Sequence, residues 1–481
     1  MPEKILCLTQ RSKQRHYLRE CAMRVSTAMP KLMNTLAPIN KLPPEILGTI
    51  PKFQDDQTAK DLVAISSVCS YWRNTFTATP SLWTTLDGKG LEKSRAWVER
   101  SGVLPIRLQV RGSPDSEVLE FLAPHSHRFE VVNFPKLGAR DLLFMENHLP
   151  KVLRPGPLLH YVCVNIYGLE WMHRPYPSYA SMTGEFPSLE SLRIDFFPMS
   201  ITNLRAPNLR NLKLLGDFDL EIVLDLLESS PLLETLGLDL HEDVSVSNGR
   251  MVSLEKVKQA NFSSNGFKIL QYLLLPASKD IIINIEPHLN QLLGTMGDCN
   301  PFLSQALDSF PPLRQVQSVS FRPEDDSSSQ SAFIEGPHGT VEILTDTHPF
   351  TFFKVLRVFT ERSTESIQEL KLPNVDSPLI CLAENTLESL GSLRSVYVHG
   401  PCVSECFFRL GTSYCLQLKE ITARDPDYVA LETFVRRRSE AGIAIRRLVL
   451  ESDPDTQVDM EAMERLRKYV DDVLEVRGYL E

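Results

Sequence analysis

Between residues 42 and 83, apolar side chains fall at spacings of three and four, the mark of helices with one apolar face. Pro43 and Pro44 suit a first helical turn, where a missing N–H costs nothing, and Glu45 sits near the positive end of the helix dipole. This first helix presents Leu42, Ile46, Leu47 and Ile50, and Pro51 stops it. A capping-box pattern, Thr58-Ala59-Lys60-Asp61, opens a second and longest helix with the stripe Leu62, Ile65, Val68, Cys69, Trp72 and Phe76. Thr79 as cap and Pro80 at the first helical position predict a third helix presenting Leu82 and Trp83. About forty residues cannot bury so many apolar anchors among themselves, so the segment must pack against something else. It reads as a docking module.

Beyond residue 100 a different phrase recurs: an aliphatic residue, a second three positions on, and a third two further. It stands at Leu159-Val162-Val164, Leu189-Leu192-Ile194, Leu209-Leu212-Leu214, Leu233-Leu236-Leu238, Ile367-Leu370-Leu372, Leu393-Val396-Val398 and Ile445-Leu448-Leu450. Weaker copies begin at Leu254, Leu313 and Leu418, and Pro157, Pro187, Pro207 and Pro231 precede four leading positions by two residues. Close copies recur every 20 to 27 residues, and the last two aliphatics of each lie on one face of a short strand. Helix-like stretches such as Leu220 to Leu227 should return the chain between strands. Ile281 to Ile285 and Val341 to Leu344 read as extra strands, and residues 323–340 as a protruding acidic loop open to phosphorylation. Met463, Leu466, Val470, Val473 and Leu474 make a helical stripe suited to capping the last repeat.

The order Leu42-Pro43-x-Glu45-Ile46-Leu47, Asp61-Leu62, Val68-Cys69-x-x-Trp72-Arg73 and Leu82-Trp83 resembles the F-box, over residues 39–86. That resemblance implies a three-helix module binding the Skp adaptor, and through it cullin, in Skp–cullin–F-box ubiquitin ligases. Carried over by position, the adaptor would meet Leu42, Pro43, Ile46, Leu47 and Ile50 from the first helix, and Leu62, Val68, Cys69 and Trp72 from the second. Leu82 and Trp83 would follow from the third. Ile50-Pro51-Lys52-Phe53 departs from the usual Ile-Phe run at the end of the first helix. The repeats resemble a leucine-rich-repeat solenoid, but Phe197, Asp217, His241 and Pro401 replace the turn Asn or Cys, so irregular curvature is expected. The expected fold class is α/β: a disordered basic leader (1–37), an F-box (38–90), a solenoid (91–455) and a capping helix (456–481). A packed helix between Thr85 and Ile106, with Arg95, Trp97 and Val98, should join the modules.

Charge narrows the partners. The chain carries a net charge of -10, yet residues 1–37 hold seven basic and two acidic residues, leaving the body strongly acidic. Such a body is no phosphate-backbone binder, so no nucleic-acid partner is expected. Runs of about 18 apolar residues are absent, and the N-terminus lacks a secretory apolar stretch, so no membrane partner is expected either. Nine scattered Cys without a C-x-x-C pair read as reduced thiols in the cytoplasm and/or nucleus, leaving the sequon at Asn261 without meaning.

No nucleophile elbow, phosphate-cradling loop, zinc-protease helix or dinucleotide glycine run is present, so no catalysis and no cofactor are expected. His399, Cys402, Cys406 and Cys415 are the nearest approach to metal ligands, at spacings fitting no regular zinc site, and His125 with His127 reads as a polar loop. The leading expectation is an adaptor that docks Skp through the F-box and holds an unidentified protein substrate on the repeats. Its rival is a scaffold of the same design acting without cullin, and a third reading is a solenoid enzyme with an unrecognised site.

Overall fold

The computed structural model describes residues 2–50, 59–138, 142–167, 180–195, 199–216, 218–240, 250–262, 269–270, 272–277, 280–285, 318–323, 329–336, 339–346, 367–372, 390–400, 404, 415–452 and 459–477. Two compact units divide the chain, Met1–Trp171 and Met172–Glu481.

In the first unit, α1 spans Pro2–Leu36, where a disordered leader was expected. Its residues are largely good helix formers, and Arg24 pairs with Glu20 one turn away. A 3₁₀ turn, Pro38–Lys41, then leads to α2 (Pro44–Thr49), α3 (Ala59–Ser66) and α4 (Ser70–Thr77). The single long second helix is thus two helices. Ser66 and Ser67 turn their hydroxyls back onto the carbonyls of Leu62 and Val63, and Cys69 is extended (φ -158, ψ 172), so the helical ladder stops and restarts. The third helix is only a 3₁₀ turn, Pro80–Leu82, because Thr79 donates back to the Thr75 carbonyl (2.8 Å) instead of capping forward.

Strand β1 (Thr85–Leu86), α5 (Leu91–Ser101), β2 (Ile106–Gln109), α6 (Ser116–Leu122), β3 (Phe129–Gly138), α7 (Leu142–Val152) and β4 (Tyr161–Tyr167) complete the unit. These four strands pair in parallel in chain order. The connecting helix expected before Ile106 is α5, and it buries Trp97 and Val98. Arg128 is buried too: its guanidinium donates to the Leu104 carbonyl just after α5 and to the Ser101 hydroxyl. β3 repeats the spacing of the aliphatic phrase with aromatics, Phe129-Val132-Phe134, all buried, and its register slips around Pro135, which has no N–H for the ladder.

The second unit continues with β5 (Ser191–Asp195), β6 (Asn211–Gly216), α8 (Leu220–Glu228), β7 (Thr235–Leu240), β8 (Gln259–Phe262) and β9 (Asp280–Ile285). β10 (Ser318–Pro323), β11 (Ser329–Gly336), β12 (Gly339–Asp346), β13 (Glu369–Leu372), β14 (Ser395–His399) and β15 (Glu420–Arg424) follow. Then come α9 (Tyr428–Glu440), β16 (Arg447–Ser452), α10 (Met460–Leu466) and β17 (Asp472–Arg477).

A recurring turn explains the prolines. The leading Leu189, Leu209 and Leu233 donate their N–H groups to the carbonyls of Phe186, Ala206 and Ser230, with Pro187, Pro207 and Pro231 at the second turn position. One carbonyl then accepts two N–H groups of the next repeat, as Glu190 does from Arg210 and Asn211, and Arg394 from Lys419 and Glu420. The buried members of each phrase align across strands: Leu192 with Leu212, Leu212 with Leu236, Val396 with Ile421, and Ile421 with Leu448. The weak copy at Leu254 is shifted, since β8 aligns Ala260 with Leu236, making the phrase Val257-Ala260-Phe262. Leu313 lies outside the described residues, as do Phe197, Asp217, His241 and Pro401.

Three expectations fail in this unit. Part of the supposed acidic loop is β11, which runs antiparallel between β10 and β12 and buries Ile334; residues 324–328 lie outside the described residues. β12 is parallel to β9 and β10 to β13, so a three-stranded meander interrupts the parallel ladder. The capping helix ends at Leu466, and Val473 and Leu474 lie on β17, parallel to β16, so the ladder gains a strand. Some returns, finally, are short strand pairs rather than helices, such as Gly184–Glu185 with Leu204–Arg205.

Candidate partner-docking site

The helices α2, α3 and α4 and the Pro80–Leu82 turn close around a small core. Leu47, Leu62, Phe76, Leu82 and Trp83 are all buried. Trp83 donates its indole N–H to the Phe76 carbonyl (2.8 Å), meets the Trp97 ring edge-on at 5.2 Å and lies under the Arg100 guanidinium at 4.5 Å. α5 therefore belongs to the module's core. Gly48 allows α2 to approach Thr79, where an added Cβ would stand 3.0 Å from the hydroxyl.

Trp72 is half-buried. Its indole N–H donates to the Asn40 side chain and its ring meets Phe76 edge-on at 5.6 Å, while Tyr71 donates to the Leu42 carbonyl (2.7 Å). These bonds tie α4 to the entry of α2. Ile39, Pro43, Ile46, Ile50, Val63 and Val68 are exposed, and Leu42 and Cys69 are half-buried.

The eleven residues read from the sequence as partner-binding thus separate into two sets. Leu47, Leu62, Leu82 and Trp83 hold the module together, and their side chains are closed to a partner in this arrangement. Ile46, Ile50, Val68 and Pro43 face outward, with Leu42, Cys69 and Trp72 at the margin. Ile39 and Val63 were not read as site residues; the signal was an apolar residue off the inward stripe of a short helix. Pro51, Lys52, Phe53 and the Thr58 cap lie outside the described residues.

A family model described as F-box-like matches residues 39–89. The segment is an F-box-like domain. A comparison of the whole chain with curated proteins finds no match.

Among the described residues the other candidates are not brought together. Cys415 is fully buried, and burial pushes its thiol up to about 11 against the opposing charge of Arg438; Cys402 and Cys406 lie outside the described residues. No three His, Cys, Asp or Glu side chains are placed to hold a metal among the described residues, and no described helix is long and apolar enough to cross a membrane. His125 and His127 sit in a 3₁₀ helix, Ala123–Arg128, not a loop, and burial together with Arg128 lowers the His125 pKa.

Proposed function

We propose that the chain is a substrate-recognition adaptor of a Skp–cullin–F-box ubiquitin ligase. The F-box-like domain docks the Skp adaptor, and the later strands, a leucine-rich-repeat-like solenoid, hold a protein substrate. The chain performs no chemistry itself. It raises the effective concentration of substrate at the ligase by joining two binding sites in one molecule. The observation that carries this reading is the F-box-like match over a domain whose core is satisfied internally while apolar residues remain outside.

Co-purification with a Skp adaptor and a cullin tests the reading directly. Wild type should recover both, and Ile46→Asp with Val68→Asp should recover neither while retaining its fold. Recovery of Skp without cullin would leave a non-ligase scaffold, and recovery of neither by the wild type would sink both readings.

A further inference from the structure

In the second unit, the residues that stand just before successive strands form a row of their own. Each donates its N–H to the carbonyl of its counterpart one strand earlier: Arg210 to Glu190, Glu234 to Arg210 and Lys258 to Glu234, and later Arg394 to Gln368, Lys419 to Arg394 and Arg446 to Lys419, all at 2.8 Å. Neighbours in such a row stand about 4.8 Å apart, the distance between hydrogen-bonded strands. Before β5 to β8 the signs alternate, Glu190, Arg210, Glu234, Lys258, and Glu234 bridges both of its cations (2.5 and 2.8 Å). Before β14 to β16 they do not: Arg394, Lys419 and Arg446 are three cations in succession. All three are exposed, and no acid among the described residues pairs with any of them. Acids on the adjoining strands are engaged elsewhere, Glu369 with Lys371 (3.5 Å), Asp472 with Arg447 (4.0 Å) and Glu451 with the Tyr397 hydroxyl (3.2 Å). That leaves Glu420 and Asp471, too few to balance three cations. Like charges facing one another across strands repel, so the row lacks an acidic counterpart that its equivalent before β5 to β8 possesses.

We propose that this row receives a carboxylate-bearing segment, rich in Asp or Glu, of the protein substrate. The assignment rests on the reading that these strands hold a substrate. Geometry selects carboxylates over a phosphorylated residue. A phosphate gathers several donors at one point, whereas these three stand singly along a line, matching single charges spread along a peptide. The chain's net charge of -10 repels a long nucleic-acid backbone more than a short segment lying on the row.

Carbodiimide coupling of an acetylated, amidated decaglutamate peptide to the full chain provides the test, because the reagent joins a peptide carboxylate to the Lys419 amine where the two meet, and mass spectrometry reads the position. Lys256, exposed and outside the row, is the reference. At low salt Lys419 should couple at least about fivefold more than Lys256, and the excess should fade above about 0.5 M salt. Arg394→Ala with Arg446→Ala keeps the coupled lysine and should remove most of the excess. Both side chains are exposed, so an unchanged far-ultraviolet spectrum shows that the fold is intact. Coupling at Lys419 no greater than at Lys256, or an excess that survives the two Ala, overturns the proposal. Stronger competition from a decathymidylate or a doubly phosphorylated serine peptide than from free decaglutamate overturns the choice of carboxylate. Skp recovery is scored on the same chain, so failure of the adaptor reading and failure of the row are read separately.

Discussion

Trp83 keeps 1% of its surface exposed and is held from three sides by the Phe76 carbonyl, the Trp97 ring and the Arg100 guanidinium. Trp83→Ala should therefore destabilise the first unit by about 3–5 kcal/mol, read as a lower urea midpoint, with any loss of adaptor binding following from unfolding. Ile46→Ala makes the opposite case. Its side chain is mostly in water, so stability should shift by no more than about 0.5 kcal/mol while adaptor binding weakens; unchanged binding would remove Ile46 from the site. Helical spacing identifies both residues as apolar anchors but is silent on whether the anchor turns inward or outward. That depends on Trp97, which lies outside the motif and fills the inward side. Glu234 offers a pH test of the repeats. It bridges Lys258 (2.8 Å) and Arg210 (2.5 Å), and hydrogen bonds to these two cations lower its carboxyl below the ordinary value of 4.5. A lowered folded-state pKa gives stability that is present above the unfolded value and is lost as pH falls through the folded one. Glu234→Gln should accordingly narrow the stability difference between pH 7 and pH 3. The effect should be small and fade in high salt because the group is exposed.

Asp427 caps α9 by accepting the N–H groups of Val429 (2.9 Å) and Ala430 (3.1 Å), and Asp219 and Asp459 do the same for α8 and α10. Asp427→Ala should cost about 0.5–2 kcal/mol, with faster hydrogen exchange confined to the first turn of α9, and Asp427→Asn should recover most of it. Exchange that accelerates evenly across the unit would contradict a local cap. Elements of this size were legible where one period dominates. The strands at Leu189, Leu209, Leu233, Leu393 and Ile445 lie where the phrase puts them because both strand-facing aliphatics are buried in every one. They were not legible where two periods share the same residues. The stripe from Leu62 to Phe76 continues in helical register across a break made by serine hydroxyls and the extended Cys69, neither of which alters the hydrophobic pattern. Val470, Val473 and Leu474 likewise fit a helix face, and the strand that holds the last two escapes the phrase because Glu475 stands opposite Leu450, where an aliphatic is usual. Ser329 to Gly336 looks like loop by composition, yet it carries Ala332, Phe333 and Ile334 in a row, and Ile334 is buried.

In the second unit the parallel ladder is two runs, β5 to β9 and β13 to β17, joined through the antiparallel meander β10–β12. Each strand pairs only with its neighbours, so stability in such an array is a sum of local terms, and cooperativity is only as strong as its weakest junction. The meander is that junction, because among the described residues β9 reaches β13 by way of β12, β11 and β10. Ile334 on β11 is fully buried, and Ile334→Asn leaves an amide there in place of an aliphatic side chain. The two runs should then separate in urea, with protection from hydrogen exchange lost in one before the other, whereas the wild type unfolds them together. An equally destructive change at an end of the array, Leu448→Asn on β16, should lower the stability of its own run and leave the transition of the other where it was. If Ile334→Asn merely moves one shared transition to lower urea, the meander is an ordinary part of a single cooperative unit and the division into two runs has no energetic meaning.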